Sequence, residues 1–508
     1  MGASMRPGIA LLALVACHGA STSTPDAARP TDARAAPDAR DAAVTRDTGM
    51  DAQPDVASAP QCTLAAPSPP DWRLVTDGPL LRDGLGRIVF LRGVDAGGRS
   101  KFAPYVPFDY PDAGYSGALD AYMARAQSWG IDAMRVPFTW ATFEPTLTTP
   151  PTYDMVWLAR YTALLQAAWQ HGIYTVVDFH QDVFSEVFCG DGFPAWTIAD
   201  AGPPAHDCPS WQLEYLTDPS VAAAFDAFWP PASPTMTGYF AVWDEMISQV
   251  SDMPGVIGFE AFNEPSAGSA TASTFEATTL TSFFSAIAAE MNAKAPKALV
   301  FFDATALDGV TVTTNLGKPT GSNLVFAPHF YPIGTPSPAA VATSLGMWAG
   351  YATTWNLPVF VGEFGASNTE PTTLAYMQSV FAGLDTLGLG GTEWEYSVAA
   401  EEWNSESDSV VNGSGTEFPV AQALIRPFAR AVAGTAISQS FDATTSEYTL
   451  SYTATSGITE VRLPARAYPK GFHVALTAGC ADSTDAPGEI LIQATAGAAV
   501  TLTVTAGS

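Results

Sequence analysis

From residue 71 onward, short apolar runs alternate with longer segments in which apolar residues recur every three to four positions. The runs are "RIVFLRGVD", "IDAMRVPF", "YTVVDFH", "GVIGFEAFNE", "ALVFFDA", "LVFAPHFY", "PVFVGEFGA" and "GGTEWEYS". Between them lie pieces such as "LDAYMARAQSWG" and "LARYTALLQAAWQHG", each closed by a glycine that suits a helix stop. Buried strands alternating with helices predict an α/β fold. Eight such units over 71–435 predict a (β/α)8 TIM barrel with insertions, and polar residues gathering at the C-terminal ends of the runs fit its catalytic face. After about residue 436 the period becomes two, as in "EYTLSYTA", "EILIQA" and "VTLTVTA", which predicts an all-β sandwich over 436–508. Residues 18–70 are almost entirely Ala, Pro, Asp, Thr, Ser and Arg without aromatic residues or period, and read as a flexible tether.

The first residues change the picture of where the chain works. "MGASMRPGIALLALVAC" carries Arg6 and then an apolar stretch too short to span a bilayer, the layout of an export signal. Its end, "LVAC", resembles a bacterial lipoprotein processing box, which predicts lipidation at Cys17, membrane contact through that anchor, and an exported cell-envelope or secreted protein. No later segment offers the roughly 18 uninterrupted apolar residues of a membrane helix. With Cys17 set aside, Cys62, Cys189, Cys208 and Cys480 remain for two bridges in an oxidising compartment. Cys189 and Cys208 share one long loop and are the favoured pair; Cys62 with Cys480 follows by elimination. Lys plus Arg number 22 against 51 Asp plus Glu, a net charge of −29 that disfavours nucleic acid and anionic surfaces. No cysteine or histidine spacing reads as a zinc site, no metal or cofactor is expected, and a monomer is the expected state.

The chemistry sits at the ends of the fourth and seventh runs. "FNEP" places Asn263 and Glu264 directly behind apolar residues, and "VGEFG" places Glu363 in the same situation. A carboxylate withdrawn from water is costly unless it is paired or kept for work. Hydrolysis of a glycosidic bond needs two such groups flanking it, one protonated and one ionised. Three strand positions apart in an eight-stranded ring, the two acids can face each other across the mouth. A separation of roughly 5 Å would imply retention through a covalent intermediate.

Together with Arg135 in "MRVPFTW", His180 in "VDFHQD", "PHFYP" and Trp394 in "TEWEYS", these motifs resemble glycoside hydrolase family 5, in the clan of (β/α)8 retaining glycosidases. "LRGVDAGGRSKFAPY", "VVDFHQDVFSE" and "YPKGF" are similar to bacterial endoglycoceramidases, which release an intact oligosaccharide from ceramide. The resemblance spans roughly residues 72 to 508. It implies Glu264 as general acid/base and Glu363 as nucleophile, and a glycolipid or oligosaccharide substrate. Arg135 is then expected to hold Glu363 ionised, Tyr331 to donate to the same carboxylate, and Asn263 to bond the sugar 2-hydroxyl. His180 and His329 close apolar runs, Trp394 offers a face to a sugar ring, and Lys101, Asp182 and Trp196 match sugar contacts. One departure stands in "RGVD", where Asp95 occupies a position usually held by Asn.

A ceramide tail needs an apolar trough, and the aromatic insertion over 181–243 and "TSFFSAIAAEM" are the candidate walls; each is equally readable as packing. That insertion carries Trp196, Trp211, Phe225, Phe228, Trp229, Tyr239 and Trp243. A cellulase-like endo-β-glucanase using the same acids, and a non-catalytic surface glycan-binding protein, are the alternatives. A serine hydrolase is disfavoured because no G-x-S-x-G elbow follows a strand. A nucleotide site is disfavoured because "RGVDAGGRSK" lacks Walker spacing.

Overall fold

The computed structural model of the protein describes residues 59–110, 114–483 and 488–507. The export signal, Cys17 and the tether up to residue 58 lie outside the described residues. Eight parallel strands form the central sheet: β1 (Arg92–Asp95), β2 (Ala133–Phe138), β3 (Tyr174–Phe179), β4 (Val256–Glu260), β5 (Leu299–Phe302), β6 (Leu324–Phe326), β7 (Phe360–Phe364) and β8 (Gly390–Glu393). Their order is β7-β8-β1-β2-β3-β4-β5-β6, and an isolated parallel bridge between Phe326 and Val359 brings the two ends together as a near-closed barrel. Each expected run supplies one strand. Strands covered on both faces need no polar alternation, which is why they read as nearly continuous apolar stretches.

Along β3 the period of two sorts the layers. Val177 and Phe179 pack outward with the helices, whereas Tyr174 and Val176 join Leu91, Ile257, Leu299 and Phe301 in a separate apolar cluster that fills the barrel floor. Two residues beyond Val176 comes Asp178, and two further His180, both buried. The interior thus changes from hydrocarbon to charge on approaching the C-terminal mouth. The helices end as their glycines predicted: Gly114–Trp129 is followed by Gly130 at φ +84°, and Met155–Gln170 by His171 and Gly172 at φ +74°, conformations a side chain would strain. At the start of the second, the Asp154 carboxylate accepts from Val156 N and Trp157 N, capping two otherwise unpaired donors.

The β-sandwich is larger than its period-two segment. Its four-stranded sheet is Gly434–Asp442, Glu447–Ala454, Ala499–Ala506 and Phe472–Leu476. Its seven-stranded sheet combines Phe428–Val432, Ile458–Arg462, Glu489–Gln493 and Cys480–Asp482 with three short strands between residues 75 and 89 that precede the barrel. The expected start at 436 therefore misses strand 428–432, and the expected barrel start at 71 includes strands that belong here. Val89 and Ile88 pair with Ala431 and Val432, a long-range register that local periodicity does not carry. The far end of the expected tether is packed as well. Ala59 is buried in the sandwich core, Gln61 bridges Ala481, Cys62 is bonded to Cys480, and Leu64 N donates to Asp482 Oδ2 at 2.7 Å. Cys189 and Cys208 form the second disulfide.

Charge fastens the barrel to the strand segments beneath it. Asp385, buried at the end of the helix Thr373–Leu387, receives Arg92 Nη2 at 3.0 Å and Arg426 Nη2 on its other oxygen. Both guanidiniums are almost fully buried. Removing the carboxylate leaves two interior cations facing each other, which is far costlier than losing a surface pair. Asp385→Ala is expected to lower unfolding stability by about 3–5 kcal/mol, measured as a reduced midpoint in urea denaturation.

Candidate active site

The mouth of the barrel opens into a cavity of about 440 Å³ lined by Glu264 and Glu363 together with Lys101, His180, Asp182, Tyr331 and Trp394. One carboxylate oxygen of Glu264, one of Glu363 and a ring nitrogen of His329 lie within 4.8 Å of one another. That separation leaves no room for a water between carboxylate and anomeric carbon, and is the spacing of double displacement.

The two acids are presented differently. Glu363 is inside β7, on a regular strand. Glu264 sits four residues beyond the end of β4, on a turn where its own φ is +42°. A non-glycine residue in the left-handed region costs on the order of 1 kcal/mol or more and persists only when neighbours over-determine it. Here Gln181 Nε2 donates to both Asn263 O and Glu264 O at 2.9 Å, and Asp303 Oδ2 accepts from Glu264 N at 3.2 Å.

Arg135 lies beneath, fully buried on β2. Nη1 donates to Glu363 Oε1 at 2.6 Å and to Asp95 Oδ1 at 3.3 Å, while Nε and Nη2 hold both oxygens of Glu260 at 2.7 and 3.0 Å. Nη2 also bonds Asn263 Oδ1 at 2.8 Å and lies 3.1 Å from Asp178 Oδ1. Tyr331 Oη donates to Glu363 Oε2 at 3.0 Å. Burial pushes the Glu363 carboxyl up, but the cationic His329 and Arg135 outweigh it and hold the group below its ordinary value. His329 is raised to about 10: burial works against its charge, and Asp303, Glu363 and Glu264 overcome that. Asp95 shows the opposite balance, since burial outweighs Arg135 and pushes it well up. An acid with a raised pKa accordingly stands where the family's Asn is expected.

Elsewhere on the cavity lining, Lys101 Nζ donates to Asp182 Oδ2 at 2.6 Å under a roof of rings, 4.4 Å from the centroid of Trp394 and 4.0 Å from that of Trp403. His180 stacks on Trp394 at 5.2 Å between centroids, its Nδ1 bonded to Asp178 Oδ2 at 2.7 Å. The indole, imidazole and ammonium thus form one preassembled polar wall.

Three expected site residues lie behind the wall rather than on it. Arg135 and His329 act on the two glutamates from below. Asn263 is occupied by Arg135 on its oxygen and by Gln181 O on its nitrogen at 3.0 Å, so in this state its bonds go to the protein. Trp196 is not brought to the cavity: its ring packs edge-on against Trp140 at 5.2 Å, and its Nε1 donates to Glu144 O. The surrounding insertion mostly forms a core, with Phe225, Phe228, Tyr239 and Trp243 fully buried. Only Asp182 at its start and the segment from Trp211 to Leu216 reach the cavity. The helix Thr281–Lys294 that contains "TSFFSAIAAEM" likewise turns Phe283, Phe284, Ile287 and Met291 into the core, so it builds no trough.

Several members of the site were not singled out from the sequence. Asp178, Glu260 and Asp303 are acids inside or at the end of apolar runs, the same signal that marked Glu264, and Gln181 adjoins His180. Trp403 and Glu406 lie in and beside the short 3-10 turn Trp403–Ser405, where no period announces them.

A near-closed parallel barrel with two facing carboxyl groups at its C-terminal mouth defines an O-glycosyl hydrolase of the retaining type. Residues 101–400 match the Cellulase (glycosyl hydrolase family 5) family, residues 426–505 match the glycoside hydrolase family 5 C-terminal domain, and the chain belongs to glycoside hydrolase family 5. Endoglycoceramidase I of Rhodococcus hoagii (strain 103S) is 26% identical over 470 residues, spanning 86% of this chain and 89% of that protein. Among solved structures, Endo-glycoceramidase II from Rhodococcus sp. is similar with a TM-score of 0.70 at 25% identity, over 87% of this chain and 100% of that one. Its ganglioside GM3 complex gives 0.71 at 24% identity, over 85% and 100%.

As the nucleophile expected from the sequence, Glu363 would work only while ionised, so its lowered pKa would preserve activity in acid until pH falls through that pKa. The acid-side midpoint of the kcat/KM profile on an aryl β-lactoside is expected below pH 4.5, the ordinary value for glutamate. Glu363→Gln is expected to reduce kcat by at least about a thousandfold, read with the same substrate.

Proposed function

We propose that the protein hydrolyses the β-glycosidic bond between an oligosaccharide and ceramide, releasing the glycan intact with retained anomeric configuration. Glu363 Oε attacks the anomeric carbon while Glu264 gives its proton to the ceramide oxygen, and the bond between them breaks. The glycan is then esterified to Glu363. Water next attacks that carbon, passing a proton to Glu264 as the ester bond breaks, and both carboxyl groups return to their starting states.

The observation that carries the reading is the two-faced lining of one cavity. On one side of the acids stand Lys101, Asp182, His180 and Trp394. On the other stand Ala267, Ala270, Ala272, Leu307, Val310 and Ile333. Leu216, Leu307 and Ile333 on this rim are 58%, 41% and 55% exposed. Large apolar side chains left in water at a catalytic mouth are stabilised when a hydrocarbon covers them, at roughly 25 cal/mol per Å². A linear glucan would use exposed ring-stacking aromatics there, whereas the large apolar side chains left exposed on this rim are the aliphatic Leu216, Leu307 and Ile333. The names of the similar proteins support the same substrate class: Rhodococcus Endo-glycoceramidase II is described in a ganglioside GM3 complex and as a lactosyl-enzyme intermediate.

We read the chain as an exported, monomeric lipoprotein anchored at Cys17. Support comes from the signal-like first 17 residues and from the two disulfides, which suit an oxidising compartment. Cys17→Ala is expected to move the protein from the membrane to the soluble fraction; a variant still in the membrane pellet would remove the anchor.

Incubation with lactosylceramide is expected to yield free lactose and ceramide by mass spectrometry, with no glucose. Cleavage of soluble β-glucan alone would sink the assignment. Leu307→Asp and Ile333→Asp should each raise KM for lactosylceramide about tenfold while leaving kcat/KM on a short aryl β-lactoside within about twofold, since roughly 1.4 kcal/mol is a factor of ten.

A further inference from the structure

Asp303 follows β5 and is almost completely buried, with its side chain turned into the charged layer below the cavity. Its Oδ1 accepts from its neighbour's amide, Ala304 N, at 2.6 Å. Its Oδ2 faces two partners: Glu264 N at 3.2 Å and His329 Nε2 at 3.3 Å. The opposite ring nitrogen, His329 Nδ1, is 2.8 Å from Glu264 Oε1 and 3.4 Å from Glu363 Oε2. Burial pushes the Asp303 carboxyl well up, against the pull of the His329 cation; the group touches the backbone of one catalytic acid and, through a single imidazole, the side chains of both.

Resting on the roles given to Glu264 and Glu363 above, we propose that Asp303 is a positioning residue. It keeps His329 as an imidazolium and thereby sets both the direction of the Glu264 side chain and the ionisation of Glu363.

Geometry supports the charged ring. Both nitrogens of His329 face carboxyl oxygens, so while Asp303 and Glu264 are both ionised a neutral imidazole would set one lone pair against another. Around the ring stand Glu260, whose Oε1 is 4.0 Å from Nε2, Glu264, Asp303 and Glu363, with Asp95 further off. The neighbouring cation, Arg135, is spent on Glu260, Glu363 and Asp95. Tyr331 closes another side with its ring edge-on. The backbones of Gly309 and Gly362 lie so close that a Cβ at either would come within 3.3 Å of His329 atoms, which holds the imidazole between the two acids. Of the acids touching His329, Asp303 is the one the hydrolytic steps do not consume and Arg135 does not bind.

The sign follows from electrostatics. The His329 cation stands first among the groups that lower the Glu363 pKa. Removing the Asp303 charge lets His329 lose its proton at lower pH, Glu363 then loses a nearby positive charge, and its pKa rises. Asp303→Asn keeps an oxygen for Glu264 N, removes the charge and gives up the acceptor now facing Ala304 N.

The test uses the whole protein with an aryl β-lactoside, so failure to cleave ceramide glycosides would leave it intact. In Asp303→Asn the acid-side midpoint of kcat/KM is expected to rise by at least half a pH unit, kcat to fall at least tenfold, and KM to stay within threefold. The ring nitrogens of His329, followed by 15N NMR, should titrate at least one pH unit lower than in the parent. His329→Gln, which leaves Asp303 in place, should show the same upward shift of the acid limb. Adding Asp303→Asn to it should cost less than a further threefold, as two residues acting through one path require. An unmoved acid limb in His329→Gln, an unmoved His329 titration in Asp303→Asn, or losses that multiply in the double variant would each overturn the proposal.

Discussion

Arg135 is a permanent cation with no exposed surface, at the level where the barrel interior changes from hydrocarbon to polar. Four carboxyl groups, Asp95, Asp178, Glu260 and Glu363, converge on its five donors. A buried guanidinium is tolerable only when its donors are satisfied, and one cation cannot hold four acids ionised. The layer resolves this by unequal treatment. Glu260 is gripped at both oxygens yet pushed up by burial, Asp95 is pushed well up, and Glu363 is drawn down because His329 adds a second positive charge on its open side. The lowered pKa of Glu363 is thus a product of the whole layer, with Arg135 as its fixed point.

The same layer explains how Glu264 and Glu363 can do opposite work from within 4.8 Å of each other. Glu363 is rooted in a strand and bonded from below by Arg135. Glu264 rides on a turn with left-handed backbone and retains 12% side-chain exposure against 7% for Glu363. In the proposed reaction the group that gives and takes protons is the one nearer water and held through a histidine, and the one that forms and breaks a covalent bond is the one locked to a guanidinium.

The sandwich contributes at a distance. It takes strands from both sides of the barrel in sequence, and a disulfide closes it onto residue 62. Arg430, on the strand Phe428–Val432, bonds Glu460 at 2.9 Å and faces Asp132, which in turn accepts from the backbone of Arg92 at the start of β1. Through such contacts the floor beneath the charged layer is clamped from the side opposite the mouth. The mouth itself is left to loops, which supply Trp211, Leu216, Leu307, Ile333 and Glu406.

Local sequence determined the barrel, because the buried strands fall in short, mostly apolar runs and helices such as Gly114–Trp129 and Met155–Gln170 carry their own period with a glycine at or just past the stop. It also determined which acids to consider, since Glu264 and Glu363 are polar residues set in apolar stretches, and the family motifs give them roles. What it did not carry was the traffic between distant segments. The strands at 75–89 and 428–432 are too short to announce a shared sheet, and only their pairing assigns them to the sandwich. Trp196, one tryptophan among several in a long insertion, was assigned to the site, whereas packing against Trp140 draws it away. The aromatic insertion and the helix Thr281–Lys294 satisfied the demand for an apolar trough by composition, yet both spend their rings in the core, and the aliphatic rim comes from scattered loop residues. The charge state of each acid lies beyond composition altogether, because a pKa depends on which groups come within a few ångströms after folding and on how much water remains between them.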